Sequence, residues 1–288
     1  MVRQRSAKPP RAGSNPATSF MLYLIATPIG NLNDITLRAI ETLKSVDLIL
    51  CEDTRHSAPL LRHFEIETKL HSYEQFSEKS KLEWVLNQLR AGQNIALISD
   101  AGTPAVNDPG ALLVKHCIEE KLPLTSLPGP SSPIVAYSLL GTMKPFQFLG
   151  FFPKKAGEQK TLFAQMEQYV GVSLFFESPH RIIETIDAIP FPCRITIFRE
   201  LTKKFEEHLT GTKEELVAEL KKREKLGEII VAIEPDLPPS QEKPALAFAR
   251  NLIEKHALST NTAAKIAAEL FSVKKQLLYE LLLAPPEP

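Results

Sequence analysis

From Met21 onward the chain alternates short apolar runs with amphipathic stretches, and this alternation restricts its fold more than any other feature. Apolar runs of this length bounded by turn residues read as buried strands, and the helical stretches between them supply the crossovers that parallel strands need. The pattern therefore predicts an α/β chain of parallel strands joined by helices. The strands fall near residues 22–26, 46–51, 94–98, 122–127, 172–176, 193–198 and 228–233. Between the first two, Asp34 is placed to cap a helix whose Thr36, Ala39, Ile40 and Leu43 share one face. A helix over 81–90 carries Leu82, Val85, Leu86 and Leu89 as its apolar stripe, with Gly92 as its stop signal.

A chain of 288 residues is long enough for two such α/β lobes and a small appendage. The rhythm breaks at 140–148, where Gly141 and Pro145 stand, so the lobes are placed at 21–140 and 141–236. Residues 234–244 hold four prolines and read as a linker. Two helical patterns follow, 245–256 and 260–283, the second broken near Ser272, giving a helix-turn-helix-like unit over 240–288 that is too short to fold alone. The first twenty residues differ again: Arg3, Arg5, Lys8 and Arg11 with no acid and three prolines make a disordered basic tail. It is either an arm that touches RNA or an extension ahead of a natural start at Met21, and it lacks the apolar segment of a secretory signal.

Charge narrows the partners. Basic and acidic residues stand at 34 each, so any nucleic-acid surface must be a local patch rather than a global field. Cys51, Cys117 and Cys193 are scattered without the spacing of a metal site, which implies buried thiols, no metal and a reducing, cytoplasmic setting. No apolar run is long enough to span a bilayer, so no membrane partner is expected.

Ligands of open parallel sheets collect beyond the carboxyl ends of the strands. Three predicted strands lead there into glycine- and proline-rich loops: TPIGNLND at 27–34, SDAGTPAVNDPG at 99–110, and PGPSS at 128–132, which opens a helix ending near Leu139. Glycine lets backbone N–H groups approach a ligand and proline stiffens the rim. Asp100, at a strand end before Ala101 and Gly102, is placed to accept hydrogen bonds from a ribose or an amino group. Neither GxGxxG, GxxxxGKS/T nor GxSxG occurs, which disfavours dinucleotide, P-loop and serine-hydrolase readings. CEDTRH at 51–56 binds phosphate, positions a substrate hydroxyl, or forms a salt-bridged helix start. FESPHR at 176–181 and RELTKKFEE at 199–207 hold comparable strand-end positions in the second lobe, and the basic stretch PKKAGEQK at 153–160 is solvated surface or an RNA contact.

In this order, LIATPIGNLNDIT, CEDTRH, LISDAGTPAVNDPG, PGPSS, FFESPHR and RELTKKFEE resemble the motif series of the small-subunit methyltransferase I branch of the tetrapyrrole methylase superfamily. The likeness runs from about Leu22 to Ile233, and the C-terminal helices resemble the appendage of that branch; Asn33 stands where the family often has glycine. The resemblance implies a two-lobed α/β fold with the cofactor in the cleft between lobes, and a homodimer. It implies S-adenosylmethionine as methyl donor, and the ribose 2′-oxygen of a cytidine in the decoding centre of 16S rRNA, within the small ribosomal subunit, as acceptor. Carried over by motif, the cofactor-binding residues are Pro28, Gly30, Asp100, Gly102, Thr103, Pro104, Gly129, Pro130, Ser131 and Ser132.

Methyl transfer from a sulfonium is an in-line displacement, so alignment and desolvation dominate, and a carboxylate or histidine can take the proton of the ribose hydroxyl. Glu52, Asp53, Arg55, Glu177 and Glu200, with His56 beside them, are the candidates for substrate positioning or base, and the 51–56 group is favoured for handling substrate. Two rival readings are a methyltransferase acting on a corrin or porphyrin precursor and a non-catalytic RNA-binding assembly factor.

Overall fold

The computed structural model describes residues 20–74, 78–223, 227–236 and 241–283. The expected tail lies outside them apart from Phe20, as does the middle of the 234–244 linker. The chain divides into two units, one running to Leu140 and taking in Phe198–Glu207, the other made of Gly141–Ile197 and the chain from His208 onward.

In the first unit β1 (Leu22–Ile25), α1 (Leu37–Ser45), β2 (Leu48–Cys51), α2 (Thr54–His63), β3 (Leu70–Ser72), α3 (Glu78–Arg90), β4 (Ile95–Ile98), α4 (Ala111–Glu119), β5 (Leu124–Leu127) and α5 (Ser132–Leu139) follow one another. The sheet order is β3-β2-β4-β1-β5 and its pairings are parallel. Side chains two residues apart share a face, and the sequence uses that period to feed two cores. Leu22, Leu24, Leu48, Leu50, Ile95 and Leu97 join Val85, Leu86 and Leu89 of α3 and Leu113 of α4 on one face. Ile25, Ile49, Ala96 and Ile98 meet Ala39 and Leu43 of α1 and Leu61 of α2 on the other. Each leucine taken fully from water contributes about 1.5–3 kcal/mol, so the two cores together hold the sheet between its helices. A parallel sheet with both faces covered also delivers every strand's carboxyl end to one edge.

One cap differs from expectation. Thr36, not Asp34, caps α1, its hydroxyl accepting from the Ala39 N–H at 3.1 Å, while Asp34 ends a short 3-10 turn, Leu32–Asp34, that Asn31 caps. The second turn absorbs the residues the longer reading assigned to the helix start.

The second unit contains β6 (Phe146–Phe151), α6 (Ala156–Gln168), β7 (Val172–Glu177), α7 (Ile182–Asp187), β8 (Cys193–Arg199), β9 (Glu207–Gly211), α8 (Lys213–Leu220) and β10 (Ile229–Pro235), in the sheet order β6-β7-β10-β8-β9. This sheet is mixed, which corrects the all-parallel expectation: β6 pairs β7 parallel, but β10 pairs β7 antiparallel. Thr196 meets Thr210 and Arg199 meets Glu207 in the opposed order of an antiparallel hairpin, because the connection from β8 to β9 is too short for a parallel crossover. β6 occupies part of the stretch read as the junction; Gly150, at φ 72°, and a register shift between Phe148 and Phe151 disguise it. The stretch 153–160 is only half a loop, since Ala156 begins α6. Phe152, Phe163, Met166, Phe175 and Phe191 dominate this unit's core.

The C-terminal segment forms α9 (Glu242–His256), α10 (Thr260–Phe271) and α11 (Lys275–Leu283), with Ser272 in the left-handed conformation at the break between the last two. Ala245, Ala249, Ala263, Ala264, Ala267 and Ala268 close around Leu278, small side chains that let the three helices approach one another closely. Cys51, Cys117 and Cys193 are free and buried. No described helix is long and apolar enough to cross a membrane.

Candidate active site

The loops leaving β1, β4 and β5 are laced together at the carboxyl edge of the first sheet. Thr27 and Gly102 exchange both backbone hydrogen bonds, Thr27 N–H to Gly102 O at 2.9 Å and Gly102 N–H to Thr27 O at 3.0 Å. The Thr27 hydroxyl, buried, donates to Ser99 O at 3.0 Å, and the Ser99 hydroxyl donates to Gly102 O at 3.0 Å. Thr103 Oγ1 donates to Pro130 O at 3.2 Å, which ties in the third loop. Gly102 needs its freedom, at φ 78°. Gly129 is needed for closeness: a Cβ there would stand 2.8 Å from the Ala26 Cβ. Ser131 caps α5 and its carbonyl accepts from Val135 N–H, with Ser132 and Pro133 in the first turn.

The loop after β2 joins this edge through Asp100, whose Oδ1 accepts from the Asp53 backbone N–H at 3.3 Å and lies 3.7 Å from His56 Nδ1. Asp53 caps α2, accepting from the Arg55 N–H at 2.8 Å, and grips the Arg55 guanidinium with both oxygens, at 3.1 and 2.7 Å. Those hydrogen bonds hold its carboxyl at about 2, below the usual range. Arg55 itself is exposed and answers the acid beside it, the salt-bridged helix start among the options its motif left open.

Glu52 is different. Burial, and after it the charges of Asp100, Glu74 and Asp53, push its carboxyl upward. Asp108, on the same loop as Asp100, is raised to about 6 by burial and by Glu52, with a hydrogen bond from Ser99 working the other way. Sequence reasoning quoted the loop that holds Asp108 and passed over the residue, because an acid two residues before Gly110 looks like ordinary turn chemistry. Gly110, at φ 120°, is what turns the chain there, and an added Cβ would run into Leu97. Ala105 and Asn107 also take left-handed φ of 65° and 64°. Such conformations in side-chain-bearing residues persist only where the surroundings enforce them, as they often do at ligand sites.

Glu177 and Glu200 stand on other segments of the chain. Glu177 lies in the second unit, buried, its carboxylate accepting from Ser178 N–H at 2.6 Å and from the Thr185 hydroxyl, with Arg181 at 3.5 Å. Its bonds close the turn from β7 into α7. Glu200, left-handed at φ 53°, pairs with Lys203 Nζ at 3.0 Å. The Phe198–Glu207 segment that carries it groups with the first unit although it follows the second unit's strands in sequence, and Lys203 lies directly over Gly30. Long-range packing of this kind leaves no mark in a local motif.

These residues fit an adenosyl-type methyl donor. Gly129 packs against Ala26 and Gly102 turns the chain at φ 78°, which set the backbone of the two loops, and the anchored Asp100 carboxylate offers an acceptor for hydroxyl or ammonium groups. Among the described residues no group of His, Cys, Asp and Glu is arranged to hold a metal ion.

The model of the family described as Tetrapyrrole (Corrin/Porphyrin) Methylases matches residues 21–217 of the chain. Ribosomal RNA small subunit methyltransferase I of Escherichia coli O157:H7 is 39% identical over 269 residues, covering 91% of this chain and 94% of that protein. Among solved structures, diphthine synthase aligns with a TM-score of 0.59 at 12% identity, over 75% of this chain and 90% of that one. Uroporphyrin-III C-methyl transferase from Thermus thermophilus, complexed with S-adenyl homocysteine, aligns with a TM-score of 0.53 at 16% identity, over 74% and 96%. At such identities the two structures speak for the fold alone.

Proposed function

Since the chain belongs to the tetrapyrrole methylase family, and within it to the relatives named for small-subunit ribosomal RNA, we propose that it methylates the ribose 2′-oxygen of a cytidine in the decoding centre of 16S rRNA, with S-adenosylmethionine as donor. The observation that carries this reading is the identity of 39% sustained over 94% of the relative's length, far beyond the shared fold.

When bound, the donor supplies an electrophilic methyl group on a sulfonium. The chain's part is to hold it and aim the acceptor. Gly102, Thr103 and Pro104 from one loop, Gly129, Pro130, Ser131 and Ser132 from another, and Pro28 and Gly30 from the first would line its cradle, with Asp100 taking hydrogen bonds. Because charge disappears as the methyl moves, alignment in a site poor in water contributes more than a stabilising counter-charge. The ribose hydroxyl must lose a proton, and a base works best when its pKa approaches the working pH. That criterion separates the acids: Glu52, pushed upward by burial and like charge, suits the base, whereas Asp53, held at about 2 by Arg55, suits positioning of the Asp100 loop through its backbone N–H. The acceptor nucleotide has to be splayed from its helix to present its 2′-oxygen in line. A homodimer and a cytoplasmic setting complete the reading.

The test is transfer of labelled methyl from S-adenosylmethionine by the purified chain. Label in the ribose of 16S rRNA within small subunits is expected. Label entering only a tetrapyrrole acceptor, or none taken up with no donor binding by calorimetry, overturns the proposal in favour of a corrin or porphyrin enzyme or an assembly factor respectively.

A further inference from the structure

Adjoining the proposed donor cradle at Gly30, the first unit carries an open groove of about 620 Å³ lined by Gly30, Asn31, Leu32 and Asn33 after β1, His63 at the end of α2, and Thr202, Lys203 and Lys204. Two of those residues, Lys203 and Lys204, are cationic and none is acidic. The 200–206 loop that forms one wall is built to present its side chains. Glu200 and Thr202 both take left-handed φ, the Lys203 N–H donates to Glu200 O at 3.0 Å, and the Thr202 N–H donates to Glu206 Oε2 at 2.6 Å. Lys203 lies across Gly30, where any Cβ would collide with its stem, and its ammonium is steadied by Glu200 at 3.0 Å. Lys204 and Phe205 are left facing solvent, Phe205 at 66% exposure with the Lys204 ammonium 5.5 Å from its ring centroid, and Leu32 stands 42% exposed on the facing loop.

A large aromatic ring kept in water costs solvation and contributes nothing to the fold, and here it sits beside a cationic groove edged by two asparagine amides. We infer that this groove holds a single-stranded segment of the RNA substrate: Lys204, Lys203 and His63 face its phosphates, Phe205 stacks on a splayed base, and Asn31 and Asn33 reach base edges. Interleaved cations and aromatics are the general means of gripping unpaired strands, because every base has a π-face and every phosphate a charge. The loop from Gly30 to Asn33 continues directly from Thr27, which is bonded to Gly102, so an RNA strand seated there approaches the same sheet edge as the proposed donor cradle. This inference rests on the proposed RNA substrate and deepens it.

The experiment uses full-length chain, a fluorescent single-stranded RNA oligonucleotide carrying the target cytidine, and fluorescence anisotropy across a salt series, with donor affinity measured in parallel by calorimetry. The variants are Phe205→Ala, Lys204→Ala, and Lys115→Glu as a charge change on α4, away from the groove. Phe205→Ala should weaken RNA binding on the order of tenfold. Lys204→Ala should lower the slope of log affinity against log salt by about 0.7. Lys115→Glu should bind within about twofold of the parent, and all three should keep the parent's donor affinity. Parental RNA affinity and salt slope in both groove variants would overturn the groove assignment while leaving the methyltransferase reading intact. A parent chain that binds no RNA oligonucleotide would overturn the groove assignment alone, and one that binds a uroporphyrin through Lys204 and Phe205 instead would overturn both.

Discussion

At the scale of single residues, the account turns on which groups are free to act. Glu52→Gln should lower turnover on small subunits roughly 100-fold or more, the usual contribution of a general base, while calorimetry shows donor binding unchanged. Asp53→Ala should cost much less in turnover and show itself as lower stability, since replacing an N-cap Asp by Ala costs about 1 kcal/mol. Equal turnover losses in the two variants would contradict the division of roles. Gly129→Ala should abolish measurable donor binding, because its Cβ must displace Ala26 or the loop. Asp108 makes a pH prediction. Its folded pKa of about 6 lies above the ordinary 3.8, so the folded state holds an extra proton between those values. The stability this group lends is complete below about pH 4 and lost as pH rises through about 6. Asp108→Asn should remove that fall, worth about 1 to 2 kcal/mol at this half-buried position once solvent screening is allowed for. Denaturant melts of parent and variant at pH 4.5 and 7.5 check it; parallel curves at both values would count against it.

At the scale of elements, legibility followed the physics of each segment. β1, β2 and β4 of the first sheet are short apolar runs, largely buried on both faces, and could be read directly, as could α3 with its stripe of Val85, Leu86 and Leu89. The break at Ser272 showed as an interruption of helical period. What escaped were edges and polar turns: β3 is three residues long, β9 alternates half-buried and exposed positions without an apolar run, and β6 follows directly on Gly141 and Pro145, which read as a junction. The three loops proposed to hold the donor were visible as loops because strand ends rich in glycine and proline are conspicuous in any parallel sheet. Asp108 and Lys203 were not, since their importance comes from neighbours distant in sequence, Glu52 for one and Gly30 for the other. The alanine-lined helices of the C-terminal segment yield their own prediction. Ala267→Leu overfills a fully buried site and should destabilise that segment by about 1–3 kcal/mol, seen as early hydrogen exchange across α9 to α11 with the first sheet unchanged. Unchanged exchange would mean that those helices are not packed through Ala267.

At the scale of the whole molecule, equal numbers of acids and bases leave no global field, so recognition of a polyanion has to be local, and the groove at Lys203 and Lys204 is such a locality. The parallel sheet supplies the other half of the arrangement by collecting the loops after β1, β2, β4 and β5 at one edge, where Thr27, Gly102, Thr103 and Pro130, with Asp100 accepting from the Asp53 N–H, bind them into a single rim. The C-terminal helices are proposed to hold surrounding RNA or ribosomal protein. The central claim, that this rim presents a methyl donor to a ribose of small-subunit RNA, is tested most directly by mapping 2′-O-methylation on 16S rRNA from cells that lack the chain. The account predicts one unmethylated cytidine in the decoding centre, restored by the parent sequence and not by Gly129→Ala. A full complement of ribose methylation in those cells would contradict it.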